Sequence, residues 1–211
     1  MSLTFFFHLL ILLLAAIIAG VRYRILSRAD RFIALLLIAT LLAEATAKVF
    51  ALVYENNLIV YQIFTPLQFM LIALYFRHVH SGTWIGRLSL IAGSAGIALG
   101  IFTYFYIPPD RFDTYVLLTE GLCIIFLSLF TVTHLFRQES VHLLRHPVFW
   151  VSMILAAFWI VATIWYNTYN QIVDMGLFRY AYFTFVGMNY LHYSGLALLL
   201  LLYPKLHSDD I

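Results

Sequence analysis

The fold is decided by the run LTFFFHLLILLLAAIIAGV at residues 3–21, which contains no Lys, Arg, Asp or Glu. A helix that crosses a hydrocarbon core of about 30 Å needs roughly 20 mostly apolar residues, close to the length of this run. Across all 211 residues, 64% are hydrophobic and 10% are charged, against about 45–50% and 25% in soluble domains. The mean hydropathy is +0.93. This composition excludes a soluble enzyme, a disordered chain and a nucleic-acid-binding protein, and predicts the lipid bilayer as the surroundings.

Six further runs have the length and composition of the first. The predicted spans are 3–21, 32–53, 58–76, 88–107, 114–136, 148–166 and 180–203. Membrane strands would be about 10 residues long with alternating polarity, a pattern that is absent from this sequence. We therefore predict an all-α polytopic membrane protein, a single seven-helix transmembrane domain over residues 1–211.

The basic residues predict the orientation of the helices. No Lys or Arg precedes Arg22, so the first run is expected to be an uncleaved helix rather than a signal peptide. With the N-terminus outside, nine basic residues lie in inner segments: Arg22, Arg24, Arg28, Arg31, Arg77, Arg87, Arg137, Arg145 and Lys205. Outer segments carry only Arg111 and Arg179. The positive-inside rule thus predicts an outside N-terminus and an inside C-terminus.

Ionisable residues inside a span are costly, so each is a candidate for function. Thr40, Glu44 and Lys48 are spaced by four residues and share one face of the second helix. Glu120 in the fifth span lies at a comparable depth, in the middle-to-outer half of the membrane. The alternative for the second helix is structural, because Glu44 and Lys48 could simply neutralise one another. Glu120 has no such neighbour in its own helix and needs a partner from elsewhere, a proton or a ligand.

The third and seventh spans add uncharged polar groups at similar depth. The candidates are Tyr61, Gln62, Thr65 and Gln68 on the third helix, and Asn189 and His192 on the seventh. Pro66 interrupts the hydrogen bonds of the third helix, which often frees a carbonyl for a ligand. We expect helices two, three, five and seven to bring these groups to one cavity open to the outside. The alternatives are interhelical hydrogen bonding for Gln62, Gln68 and Asn189, and a buried, hydrogen-bonded role for His192.

Small residues mark one face of the fourth span, where Gly96 and Gly100 follow Ala92 and Gly93. Such a face allows close approach of another helix, either within the bundle or between protomers. We expect packing within the bundle, and a homo-oligomer stays open. Near the outer boundary, Trp165, Tyr166 and Tyr169 predict an interfacial aromatic belt.

The sequence predicts no metal site and indicates no particular cofactor. His8 and His192 are the only histidines clearly within spans, no Asp accompanies them, and Cys123 is the single cysteine. His78 and His80 follow the third span and are expected to be solvated at the inner end.

The sequence lacks the motifs of two known seven-helix classes, the microbial rhodopsins and the ordinary G-protein-coupled receptors, which argues against both. The seventh span has no lysine for a retinal Schiff base and no Asn-Pro-x-x-Tyr motif, and the third span ends in Tyr75-Phe76-Arg77-His78. The run YQIFTPLQF at residues 61–69, after Glu44 and Lys48, resembles small uncharacterised bacterial seven-helix inner-membrane proteins. The resemblance covers the second and third spans. It implies a bacterial inner-membrane location and no specific activity.

Three functions fit these observations. The first is a sensory or binding protein whose outward-facing cavity takes a small amphipathic or charged molecule. Glu44 and Glu120 would hold a cationic or donor group and Lys48 an anionic one, and a separate signalling partner would receive the output. The second is a proton or small-solute transporter using the carboxylates. The third is an intramembrane lipid-modifying enzyme, for which Ser194 and Cys123 show no nucleophile–base spacing, so no catalytic residue is predicted.

Overall fold

The computed structural model describes residues 3–106, 114–137, 143–176 and 178–207. It contains seven helices, each long and apolar enough to cross a membrane, so the chain has the architecture of a multi-pass membrane protein. They are α1 (Leu3–Arg22), α2 (Arg28–Val53), α3 (Leu58–Val79), α4 (Trp84–Tyr106), α5 (Thr114–Phe136), α6 (Pro147–Asp174) and α7 (Phe178–His207). A short 3-10 turn, Leu143–Arg145, precedes α6. The prediction of seven membrane-length helices is confirmed.

Several helices extend beyond the predicted spans, because hydropathy detects only the part of a helix that suits hydrocarbon. The helix α2 begins at Arg28, where the Ser27 side chain caps the helix by accepting a hydrogen bond from the Asp30 backbone N–H. The helices α6 and α7 continue past the predicted ends to Asp174 and His207. Residue 107 and Arg111 lie outside the described residues, as do the side chains of Tyr169, Arg179 and Lys205.

Six helices form a closed ring in the order α1, α2, α3, α5, α6 and α7, and α4 packs outside the ring, mainly against α3. Hydrogen bonds at both ends hold α1 beside α7: Tyr190 donates to the Thr4 carbonyl, and Arg22 donates to the Leu201 carbonyl. The end of the bundle where α1 begins and α2 ends is called the Glu44 end. The opposite end, where Arg22 and Arg28 lie, is called the Arg-rich end.

Large apolar side chains cover the outer surface of the bundle. Val21 is 79% exposed and Phe105 is 75% exposed. In water such a surface would be unfavourable, whereas lipid tails solvate it without cost. The helices therefore bury their polar and small faces inward and present apolar faces outward.

The small face of α4 packs against α3, which confirms the interpretation that it serves packing within the bundle. A Cβ atom at Gly100 would overlap the ring of Pro66, and one at Gly96 would overlap the ring of Phe69. One turn earlier, a Cβ at Gly93 would approach the Ala73 Cβ to 2.6 Å. The glycines thus set the distance between the two helices.

We expect Gly100→Ala to destabilise the bundle by about 1–3 kcal/mol, because the added methyl group must push a rigid proline ring or the whole of α4 aside. Thermal unfolding of detergent-solubilised protein measures the effect. Gly20→Ala is the matched control, since nothing lies within 4 Å of a Cβ at Gly20, and it should be neutral or slightly stabilising. Equal unfolding temperatures for the two variants would show that α4 is not held against α3 in this way.

Candidate functional site

A cavity of about 370 Å³ lies inside the helix ring toward the Glu44 end. All six ring helices contribute to its wall, and α4 does not. The volume falls within the range of small-molecule sites, about 300–1,000 Å³. Its polar side chains are His8, Glu44, Thr65, Gln68 and Asn189, together with the hydroxyl groups of Thr4, Tyr61, Tyr166, Tyr182, Tyr190 and Tyr193.

Glu44 forms the centre of the polar part of the cavity. The Tyr61 hydroxyl donates a hydrogen bond to Glu44 Oε2 over 3.1 Å. His8 Nε2 lies 4.0 Å from Glu44 Oε1, and the two side chains are 16% and 18% exposed. Three helices, α1, α2 and α3, therefore converge on one partly accessible carboxyl group.

Aromatic rings form most of the remaining wall. The lining rings are Phe5, Tyr61, Phe64, Phe158, Trp159, Tyr166, Tyr182, Phe185, Tyr190 and Tyr193. Several hold one another in place: Phe185 stacks on Trp165 with centroids 5.3 Å apart, and His8 stacks on Tyr190 at 6.0 Å. Aromatic faces carry partial negative charge, so they attract cations as well as apolar groups.

Five of the predicted site residues line this cavity: Glu44, Tyr61, Thr65, Gln68 and Asn189. The side-chain amide of Asn189 donates to the Phe185 carbonyl of its own helix over 2.9 Å, which leaves its amide oxygen as an acceptor. Of the predicted convergence of polar groups from α2, α3, α5 and α7, the structure brings together those of α2, α3 and α7, whereas α5 contributes Leu117 and not Glu120.

Lys48 and Gln62 are not among the described lining residues. The Lys48 ammonium lies 5.3 Å from the centroid of the Phe5 ring. Within the described part of the chain, the basic side chain that comes within 4.0 Å of the Glu44 carboxyl group is His8 and not Lys48, so the intrahelical ion pair considered from the sequence is absent. The Gln62 amide nitrogen is buried, with no hydrogen-bond partner among the described residues.

Glu120 lies behind the cavity wall rather than in it. Its side chain is 0% exposed, and neither carboxyl oxygen has a hydrogen-bond partner in the described residues. Leu117, one turn earlier on α5, lines the cavity. An ionised carboxylate at this position would have no counter-charge among the described residues to offset its desolvation.

His192 is also behind the wall. Its ring is 2% exposed and stacks on Phe158 with centroids 4.2 Å apart, while Tyr193 packs edge-on at 4.9 Å. Because Phe158 itself lines the cavity, His192 supports a wall residue from the side away from the cavity. His192 is buried, as in the alternative of a buried, hydrogen-bonded histidine, but neither ring nitrogen has a hydrogen-bond partner among the described residues.

The contributions of α1 and α6 are absent from the sequence-based site. His8 and Phe5 come from α1, and Phe158, Trp159 and Tyr166 come from α6. The interpretation of Trp165 and Tyr166 as an interfacial belt is wrong: Trp165 is 8% exposed, and Tyr166 lines the cavity. The one signal for α1 was His8, the only ionisable side chain of its span.

No group of three or more His, Cys, Asp or Glu side chains could hold a metal ion within the described ranges. The described lining residues offer one carboxyl group, one imidazole, two side-chain amides, several hydroxyls and many aromatic faces. Comparisons with protein-family models, with curated proteins and with solved structures found no match for this chain.

Proposed function

We propose that the protein is a membrane-embedded binding protein whose cavity takes a small amphipathic organic cation, and that it acts as a sensor. The observation that carries this proposal is the position of Glu44, a partly accessible carboxyl group in a cavity lined by ten aromatic residues. The described lining residues include no Lys or Arg that would neutralise it. The ligand's cationic group would lie at Glu44 and its apolar body among the rings.

The charge of the ligand follows from the surroundings of Glu44. Tyr61 occupies one carboxyl oxygen, and the nearest ionisable partner of the other oxygen is His8 at 4.0 Å. That distance is too long for a hydrogen bond, so an ammonium group of the ligand can approach the oxygen more closely. The neighbouring ring faces add about 0.5–2 kcal/mol each for a well-placed cation. An ionised Glu44 would repel an anionic ligand.

Binding agrees better with the interior of the bundle than a permanent channel does. On the Arg-rich side of the cavity, the lining residues are followed by Ile72, Ile124 and Leu155, each 0% exposed. These apolar side chains close the ring, and they offer no hydrogen bond to a passing ion or proton. A ligand can therefore enter from the Glu44 end and leave by the same route.

Transport is the second candidate, and Glu120 is the observation that favours it. A buried carboxyl group without a hydrogen-bond partner is a typical proton-carrying group in membrane transporters. Proton release from Glu120 toward the Arg-rich end would require the apolar layer to open. Sensing requires a smaller structural change than transport, since ligand binding needs only to shift the helices slightly against each other.

The excess of arginine at one end supports an orientation in which the Glu44 end is outside. The cavity would then sample molecules outside the cell membrane, and the turns at the Arg-rich end would contact a separate signalling partner. We propose the bacterial inner membrane as the location, on the resemblance of residues 61–69.

The proposal is tested with benzyltrimethylammonium, its neutral analogue with carbon in place of nitrogen, and phenylacetate. Calorimetric titration of the protein in lipid nanodiscs should give saturable binding of the cation. Affinity for the neutral analogue should be at least tenfold lower, and phenylacetate should not bind. Equal affinity for the cation and the neutral analogue would contradict the role of Glu44 and the ring faces. Movement of the cation into proteoliposomes would show that the protein is a transporter rather than a sensor.

A further inference from the structure

A second cavity, of about 530 Å³, lies at the Arg-rich end, far from Glu44. It is enclosed by the α1–α2 turn, the α3–α4 turn, the end of α5 and the start of α6. Its ionisable lining residues are Arg28, Asp30, His78, His80, His134 and His146. We call it the histidine cavity. The expectation that His80 is solvated is wrong, because His80 is 5% exposed.

Hydrogen bonds determine the tautomers of two of these imidazoles. His78 Nδ1 bonds to the Leu74 carbonyl over 2.8 Å, and a carbonyl can only accept, so Nδ1 carries the hydrogen. His80 Nε2 lies 2.8 Å from Thr131 Oγ1, and the Thr131 hydroxyl donates its own hydrogen to the Leu127 carbonyl. His80 Nε2 is therefore also a donor. Each ring keeps one further nitrogen that gains a hydrogen, and a positive charge, on protonation.

The surroundings of the histidine cavity favour negative charge in a ligand. Arg28 supplies a permanent positive charge, and the first residues of α2 and α6 present their helix N-termini to the cavity. Asp30 is the one acidic lining residue described, and it is already engaged, since the Ser27 hydroxyl donates to its carboxylate over 2.6 Å. The other arginines of this end add to the positive potential.

We propose that the histidine cavity is a binding site for a tetrahedral oxyanion, such as a phosphate group, whose affinity rises as His80 takes up a proton. Arg28, the protonated His80 ring and the His134 imidazole would donate to the anion. The ring centroids of His80 and His134 are 5.8 Å apart, so both can contact one small anion. The phosphate could belong to a free solute or to a lipid headgroup, because this end meets the membrane surface.

The pH dependence follows from the groups around His80. Burial and the neighbouring His134 ring lower the pKa of His80. Arg28 also opposes its charging, Asp30 favours it, and His78 and His146 face the same cavity. His80 is therefore neutral at pH 7.5 and gains a proton only as the pH falls. A bound anion stabilises the protonated ring, so by linkage protonation must strengthen anion binding.

Sulfate is the appropriate probe, because its charge is constant between pH 5.5 and 7.5. Calorimetric titration of the full chain in zwitterionic nanodiscs, at constant ionic strength, should show sulfate binding about tenfold tighter at pH 5.5. Dihexanoylphosphatidic acid, titrated in parallel, presents the same chemistry on a lipid. Binding of the lipid alone would identify a headgroup site, and binding of sulfate identifies a solute site. Absence of saturable binding for both probes at pH 5.5 would overturn the proposal.

Two exposed arginines four residues apart give a matched pair of variants. Arg28→Gln should weaken binding at least fivefold, whereas Arg24→Gln, which makes the same charge change outside the lining, should leave it within twofold. His80→Gln should remove most of the pH dependence. His134→Gln, at an exposed position, removes a proposed donor and should weaken sulfate binding, which tests the site should His80→Gln fail to fold. Equal losses in both arginine variants, or an affinity independent of pH in the unmodified protein, would refute the site.

Discussion

Glu44→Gln should lower the affinity for benzyltrimethylammonium by tenfold to a hundredfold while the protein stays folded. The substitution keeps the shape of the side chain and an oxygen that can accept from the Tyr61 hydroxyl. It removes the only acidic group among the described lining residues. Benzyltrimethylammonium has no N–H to donate, so Glu44 attracts it electrostatically, and a tenfold to hundredfold change in affinity corresponds to about 1.4–2.8 kcal/mol. Calorimetric titration in nanodiscs measures it.

Glu55→Gln is the matched control for this prediction. Glu55 lies in the turn between α2 and α3, at the same end of the bundle, with a positive φ of 56°. The Glu55→Gln variant has the same change in net charge as Glu44→Gln, but the change lies outside the cavity lining. Its affinity for the cation should therefore equal that of the unmodified protein. Tyr61→Phe, which removes one hydrogen bond, should weaken binding two- to tenfold. Equal losses for Glu44→Gln and Glu55→Gln would show that a general surface potential attracts the cation.

Glu120→Leu should raise the stability of the protein by about 1–3 kcal/mol. Both carboxyl oxygens of Glu120 are buried, with no hydrogen-bond partner among the described residues. A buried polar group without a partner is destabilising by this amount, and an apolar side chain of similar size removes the penalty. Thermal unfolding in nanodiscs, monitored by tryptophan fluorescence, provides the measurement.

Glu44→Leu is the contrasting variant. The Glu44 carboxyl group accepts a hydrogen bond from the Tyr61 hydroxyl, so Glu44→Leu leaves that hydroxyl unpaired and should give no gain in stability. A loss of stability in Glu120→Leu would mean that Glu120 has a bound partner in the native membrane. Glu120 would then belong to the functional site, and transport would become the better supported function.

Seven helices could be predicted without any structure because the requirement is local. A segment in lipid must satisfy its own backbone hydrogen bonds, and only a helix of about 20 apolar residues does so. The helix ends were less accurate: α2 begins at Arg28 rather than residue 32. There, Ser27 and Asp30 stabilise the start of the helix through capping, an effect that does not depend on hydropathy.

The candidate site was predicted in part. Periodicity places Tyr61, Thr65 and Gln68 on one face of α3, and all three line the cavity. The wall contributed by α6 could not be found this way, because an aromatic stripe has the same pattern whether it faces lipid or the interior. Trp165 shows this: a tryptophan near the end of a span is typical of a membrane interface, yet Trp165 stacks on Phe185 inside the bundle.

From the sequence alone follow the seven helices, the concentration of arginine at one end, and the positions of Glu44 and Glu120 along their helices, since hydropathy and helical rise act within single segments. Tertiary structure decided which segments surround the cavity and which partner each carboxyl group has. Glu44 meets His8 of α1 rather than Lys48 of its own helix, and Glu120 faces the protein interior without a hydrogen bond in the described residues. These outcomes depend on the rotation and order of packed helices. Small contacts between distant segments, such as Gly100 against Pro66, determine that order.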